Sequence, residues 1–198
     1  MAENNNPKVE LDELLAAEYS YIAQTAIQAF EDRARVSSFY LIAVGSLIAT
    51  LFGAQLFDPN DITQAFLYMF AGIFVLVALL GLSTVIQLAQ LRSAWYESML
   101  AMNQIKDFAM GQSPELAKAF RWKTTTLPAK YKAGNVSYYQ AREVSIISGL
   151  IFGAAIFFLQ QAIFFSNPIS NWVTWTVSLL FGALAVLVQM SVFKKLLT

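Results

Sequence analysis

The chain has 198 residues, of which 57% are hydrophobic and only 13% are charged. Soluble proteins average about 45–50% apolar and about 25% charged residues, so this composition argues against a soluble fold. Thirteen Lys and Arg balance thirteen Asp and Glu, which disfavours a nucleic-acid partner because polyanion binders usually carry a basic excess.

Two residue types that supply much of the usual site chemistry are missing. The chain contains no Cys and no His. The lack of Cys excludes disulfides, thiolate zinc sites and Cys-ligated clusters. The lack of His removes the commonest transition-metal ligand, the usual haem ligand and the default general base. We therefore expect no metal, no cofactor and no catalytic site, and we predict that the protein is not an enzyme.

Residues 1–35 are predicted to form a cytoplasmic amphipathic helix. Its apolar residues recur at spacings of three and four, at Leu11, Leu14, Leu15, Tyr19, Ile22, Ala26 and Phe30. No Pro or Gly separates this helix from the apolar segment that follows, so one helix is expected from about 9 to 57. The first thirty residues are polar and then acidic, with Lys8 their only basic residue, so no cleaved signal peptide is expected.

Four uncharged segments are predicted to cross a membrane as helices. They are 36–57, 62–91, 144–165 and 172–193. Each is close to the ~20 apolar residues that a helix needs to cross a hydrocarbon core of about 30 Å. Helices are expected because lipid offers backbone groups no other partner except within a closed barrel. The fold class is therefore an all-α membrane protein with four transmembrane helices and helical cytoplasmic extensions.

The basic residues predict the orientation of these helices. The connectors DPND and SNPISN contain no Lys or Arg, and every basic residue lies before the first span, between the second and third, or after the fourth. By the positive-inside rule, both termini and residues 92–143 lie in the cytoplasm. The expected location is the bacterial cytoplasmic (inner) membrane.

The charges that precede the first span form a collar at its cytoplasmic end. Glu31, Asp32, Arg33 and Arg35 are followed by 22 uncharged residues, since an ionised group inside the hydrocarbon costs about 2.5 kcal/mol or more. Glu31 and Arg35 are spaced to pair along the helix. The collar is interpreted as a solvated helix end, with an effector-sensing charge cluster as the alternative.

The segment between the second and third spans combines helix with a basic, aromatic stretch. The second helix is expected to continue to Gly111, to pack against the N-terminal helix, and to be followed by a short helix that opens at Ser113 and Pro114. Interfacial contact with anionic lipid headgroups is predicted for Arg121, Trp122, Lys123, Lys130, Lys132 and Arg142. A specific site for an anionic ligand or nucleotide is the alternative.

The spans carry two further patterns. A shift of 108 residues aligns the two hairpins, and whether they form a parallel repeat stays open. Small residues four apart predict close helix packing at Gly45, Ala49, Gly53, Ser145, Gly149, Gly153, Ser178 and Gly182. Their partner is either another helix of the same chain or a second copy.

Neutral polar residues in the spans bear on function. Interhelical hydrogen bonds or the lining of an uncharged polar path are predicted for Ser83, Gln87, Gln90 and Gln160. The function predicted is a non-catalytic membrane subunit that oligomerises or joins a larger complex, with its cytoplasmic helices receiving the partner or signal. The alternative is an oligomeric pore, for example a membrane effector of a bacterial signalling or defence system.

Overall fold

The computed structural model describes residues 11–53, 62–112 and 114–198, and the regular structure in these ranges is helical. Helix α1 spans Leu11–Gly53 and helix α2 spans Gln64–Gln112. The short helix α3 spans Pro114–Ala119, and a single 3-10 turn follows at Thr124–Thr126. Helix α4 spans Val136–Ile163 and helix α5 spans Asn171–Leu197. The predicted segments 1–10 and 54–61 lie outside the described residues.

The ends of these helices follow from local residue types. Helix α2 runs on past its uncharged part and ends one residue after Gly111, and α3 then begins at Pro114, as the sequence predicts. Helix α4 begins after Asn135, whose side-chain oxygen accepts a 2.7 Å hydrogen bond from the backbone N–H of Tyr138. Gly134 has a φ of 82°, a conformation that favours glycine, and it turns the chain into this cap.

The four long helices form a bundle in which α2 and α4 are central. Helix α1 packs mainly on α2, and α5 packs mainly on α4. At one end of the bundle Gln64 of α2 donates a 2.9 Å hydrogen bond to the carbonyl of Ala162 in α4. Nearer the middle, Ser148 of α4 donates to the carbonyl of Ala78 in α2 at 3.0 Å. These two contacts show that α2 and α4 run antiparallel.

Helix α1 buries one regular stripe of residues against α2 and α4. The buried members are three or four residues apart over most of its length: Ala26, Ala29, Arg33, Ser37, Tyr40, Val44 and Leu51. This is the period of a single helix face. Further along the bundle the core is aromatic, with the ring of Phe158 in α4 lying 5.5 Å from Phe70 and 5.4 Å from Phe74 of α2.

The outer faces of the bundle are also apolar. Leu179, Leu180 and Leu184 of α5 and Leu76 and Leu79 of α2 are each more than half exposed. All four long helices are long and apolar enough to cross a membrane, so the all-helical fold with four such helices is confirmed. The parallel repeat and the cytoplasmic placement of the helix extensions stay predictions.

Candidate functional site

Charged residues gather where α1, α2, α4 and α5 meet at one end of the bundle. We call this region the charged end; it comprises residues 31–35, 92–97, 130–143 and 194–195. Several contacts tie its parts together. The guanidinium of Arg33 in α1 bonds to the hydroxyl of Ser137 in α4. The ammonium of Lys194 in α5 lies 5.9 Å from the ring of Tyr131.

Arg33 is a buried cation within this region. Its side chain is only 4% exposed because it falls on the buried stripe of α1. Its guanidinium carbon lies 5.2 Å from the centre of the Phe30 ring. Its Nε–H is buried and has no hydrogen-bond partner among the described residues. The hydroxyl of Ser137 is thus the one hydrogen-bond acceptor that the described structure gives this side chain.

Arg92 of α2 is a second buried cation in the same place. It is 7% exposed, and its Nε donates a 3.2 Å hydrogen bond to the backbone carbonyl of Lys130. Its guanidinium carbon lies 4.2 Å from the centre of the Trp95 ring, a cation–π contact. Both of its known partners are uncharged. The sequence places this residue directly after the uncharged segment of α2.

Arg33 and Arg92 bind the same segment, at Ser137 and at the carbonyl of Lys130, and neither forms an ion pair with a described carboxylate. Burial, followed by the positive charge of Arg92, lowers the pKa of the Arg33 guanidinium. Burial also lowers the pKa of Arg92. In the described ranges the ion pairs join other groups: Arg35 with Asp32 at 3.2 Å and Lys130 with Glu97 at 3.9 Å. The charged end therefore buries two like charges that repel each other.

Most of the predicted lipid-facing residues are exposed. Exposed positions are occupied by Arg121, Trp122, Lys132 and Arg142, while Lys123 and Lys130 are half-buried. The segment that carries them is attached to α2. Asn103 donates a 3.3 Å hydrogen bond to the carbonyl of Lys123, and Asp107 accepts one of 3.2 Å from the backbone N–H of Thr124. Their predicted contact with lipid headgroups stays a prediction.

The buried arginines were the residues that the sequence interpretation missed, because it treated Arg33 as part of a solvated collar. A signal for both was present. Arg33 continues the spacing of Ala26, Ala29 and Tyr40, and Arg92 continues that of Val85 and Leu88, all of them buried. The expected pair of Glu31 with Arg35 is replaced by the pair of Asp32 with Arg35.

The helix extensions beside the charged end contact each other. The ammonium of Lys106 in α2 lies 5.6 Å from the ring of Tyr19 in α1. Ala26 and Ala29 of α1 and Met102 of α2 are buried in this part of the bundle. The expected packing between the first and second helices beyond their uncharged segments is therefore present.

A second buried polar group lies inside the uncharged part of the bundle. Ser148 of α4 is fully buried, donates to the carbonyl of Ala78 and accepts a 2.8 Å hydrogen bond from the amide of Gln189 in α5. A Cβ added at Gly81 of α2 would lie against Ser148 and within 2.7 Å of the Tyr40 hydroxyl. Four helices therefore meet at one small polar cluster.

The small residues of α4 and α5 form one close helix contact. A Cβ added at Gly149 would lie 2.7 Å from the carbonyl oxygen of Gly182, and one at Gly153 would lie 2.9 Å from that of Ser178. Ser145 is buried on the same helix. The small residues of α1 have a different setting: Gly45 and Ala49 are exposed, and a Cβ added at Gly45 would meet nothing within 4 Å. The side-chain surroundings of position 53 lie outside the description.

The four residues of the candidate polar path are not brought together in one chain. Ser83, Gln87 and Gln90 lie on an exposed face of α2, and Gln87 donates a 3.5 Å hydrogen bond to Ser83. Gln160 lies towards the other end of the bundle, where its amide donates to the Ser178 hydroxyl at 3.1 Å. We call Ser83, Gln87 and Gln90 the polar face of α2.

In the described ranges, the Asp and Glu side chains form no group of three that could hold a metal ion. Comparison of the chain with protein-family models, with curated proteins and with solved structures found no match.

Proposed function

We propose that the chain is an integral membrane protein whose uncharged segments 36–57, 62–91, 144–165 and 172–193 cross the bacterial cytoplasmic membrane. The outward-facing leucines of α2 and α5 support this placement, because a soluble protein rarely exposes so continuous an apolar surface. The gathering of basic residues at one end supports an orientation with that end in the cytoplasm. Both termini and residues 92–143 then lie on the cytoplasmic side.

Reporter fusions test this placement. A reporter that is active only outside the cytoplasm should be active when it is fused at Asn60 or Asn167. It should be inactive when fused at Lys123 or after Thr198, where a cytoplasmic reporter should be active instead. An internal signal at Asn60, or an external one at Lys123, would contradict the orientation.

Within the membrane, the proposed role is that of a non-catalytic subunit that assembles with copies of itself or joins a larger complex. The polar face of α2 is the observation that carries this proposal. Ser83, Gln87 and Gln90 lie on an exposed surface that would otherwise meet lipid. Hydrocarbon cannot accept their hydrogen bonds, and amide groups on a facing helix can. The cytoplasmic extensions of α1 and α2 would then receive the partner or signal.

The mass of the purified particle tests assembly. Wild-type protein in a mild detergent is expected to form an oligomer or to retain partner subunits. The triple variant S83A/Q87L/Q90L should yield a smaller particle, because the polar groups that favour association are gone. A matched control is T176V/S191A, which removes two exposed hydroxyls of α5; these already bond to their own helix, so its particle should keep the wild-type mass. A wild-type particle that is strictly monomeric and without partners would contradict the role.

A pore is the second candidate, and the same face of α2 favours it. If copies assemble with this face towards a common axis, its serine and glutamines line an uncharged path. Ion conductance across planar bilayers should then appear in the wild type and fall in S83A/Q87L/Q90L. If the protein assembles but conducts no ions, the pore is rejected and the subunit role stands.

A further inference from the structure

The two buried arginines at the charged end have no counter-charge among their described contacts. Arg33 and Arg92 are more than nine-tenths buried, and their hydrogen bonds to Ser137 and to the carbonyl of Lys130 attach both guanidinium groups to the segment 130–137. The positive charge of Arg92 also lowers the pKa of Arg33. Their hydrogen-bond acceptors in the described ranges are a hydroxyl and a backbone carbonyl, both uncharged. A buried charge without a counter-charge is costly. An anion that is placed between the two guanidinium groups would remove that cost.

Both guanidinium groups keep N–H donors that no described hydrogen bond uses. An aromatic ring lies against each guanidinium group, Phe30 near Arg33 and Trp95 at 4.2 Å from Arg92. A guanidinium group that uses its face in this way still has in-plane N–H donors for an anion. The Nε–H of Arg33 has no partner among the described residues.

The geometry points to a binding site for a phosphate group between Arg33 and Arg92 at the charged end of the bundle. Two guanidinium groups match phosphate better than they match a single carboxylate, because phosphate offers more oxygens and more charge to paired donors. Lys194 lies in the same region and adds to the positive potential, whereas the charge of Lys130 is offset by its ion pair with Glu97. The phosphate could belong to an acidic phospholipid or be free in solution, since both present the same chemistry to the arginines. The site does not depend on whether the protein oligomerises.

Titration of the full chain with inorganic phosphate tests the free source. Wild-type protein in neutral detergent should bind phosphate in a saturable way at constant ionic strength, and its unfolding temperature should rise with phosphate concentration. The variants R33Q and R92Q should each raise the dissociation constant by about tenfold or more, the usual effect of losing a hydrogen bond to a charged group. The matched control is R35Q. It removes the same charge from an exposed arginine two residues along the chain from Arg33, and it should bind like the wild type.

The unfolding temperature without phosphate distinguishes a binding role from a structural one. R33Q and R92Q each remove one of two repelling buried charges, so they should unfold at the same temperature as the wild type or at a higher one. If these arginines only stabilise the packing of the helices, both variants should unfold at a lower temperature than the wild type, with and without phosphate. If a glutamine variant does not fold, R33K and R92K keep the charge but lose the planar donor geometry, and they should bind phosphate more weakly than the wild type.

Reconstitution tests the lipid source. The wild type is placed in nanodiscs of phosphatidylcholine with a minor share of phosphatidylglycerol, and the lipid that remains bound after detergent extraction is counted by mass spectrometry. Retention of phosphatidylglycerol that R33Q and R92Q lose, without binding of inorganic phosphate, assigns the site to the lipid headgroup. Binding of inorganic phosphate that these variants lose assigns it to a free phosphate. Wild-type protein that binds neither, or variants that bind both as the wild type does, would overturn the proposal.

Discussion

Ser148 connects three helices through a hydroxyl that is completely buried. It donates to the Ala78 carbonyl of α2 and accepts from the Gln189 amide of α5. The other amide atom of Gln189, Oε1, is buried without a partner in the described ranges. Gln189 is buried, and the Ser148 hydroxyl is the one hydrogen-bond partner that the described structure gives its side chain, so the loss of that partner should be costly.

A double-mutant cycle at Ser148 and Gln189 measures this dependence. S148A should lower the free energy of unfolding by about 1–2 kcal/mol, because it leaves the Gln189 amide unpaired in an apolar interior. The double variant S148A/Q189M should be no less stable than S148A alone, since methionine fills the same space without polar groups. Denaturation of each protein in the same detergent gives the comparison. Losses that simply add would show that the two side chains do not interact.

At the scale of the helix, the small residues of α1 and α4 appear equivalent in the sequence and differ in the structure. A shift of 108 residues aligns Gly45 with Gly153. Yet Gly153 lies against the backbone of α5, while Gly45 has open space around it. The difference arises because α4 lies between α2 and α5, whereas α1 lies at the edge of the bundle, where it contacts mainly α2 and to a smaller extent α4.

Alanine substitutions at this aligned pair should therefore differ. G153A places a methyl group 2.9 Å from the Ser178 carbonyl oxygen, and such overpacking costs about 1–3 kcal/mol. G45A meets no neighbour, so it should be neutral or should stabilise by up to about 1 kcal/mol, because alanine favours a helix over glycine. Thermal unfolding of both variants checks this. Equal losses would indicate that α1 packs as closely as α4, either in the monomer or against another copy.

The helices themselves could be predicted from the sequence, and their contacts could not. Uncharged runs bounded by Pro and by charged residues predict the four long helices, and Gly111 predicts the end of the second one. These signals are local in the sequence. The burial of Arg33 depends on Ser137, which lies 104 residues away. The partners of Ser148 are 70 and 41 residues away. Such contacts depend on which helices become neighbours. A helical period predicts which face of a helix is buried, but it does not predict which residues of another helix cover that face.

At the scale of the whole molecule, a single chain exposes two kinds of surface, one apolar and one polar, which favour different environments. The outer leucines of α2 and α5 suit lipid, and the polar face of α2 does not. The proposal that the protein assembles through this face accounts for both. It also predicts where copies meet: near Ser83, Gln87 and Gln90, and away from the outer face of α5.

Disulfide cross-linking in isolated membranes is the most direct test of that claim. The chain has no native Cys, so a single introduced thiol can react only with another copy or another protein. S83C lies on the polar face of α2, and S191C is a matched control on an exposed part of α5. Ser148 bonds to both Ala78 and Gln189, so these two positions lie at the same depth in the bundle. Ser83 and Ser191 are therefore within about one helical turn of each other in depth. A disulfide needs the two Cα atoms to be within about 7 Å. If the protein assembles through the polar face of α2, mild oxidation should link S83C into a dimer and leave S191C monomeric. A monomeric S83C, or S191C that links as readily, would contradict it.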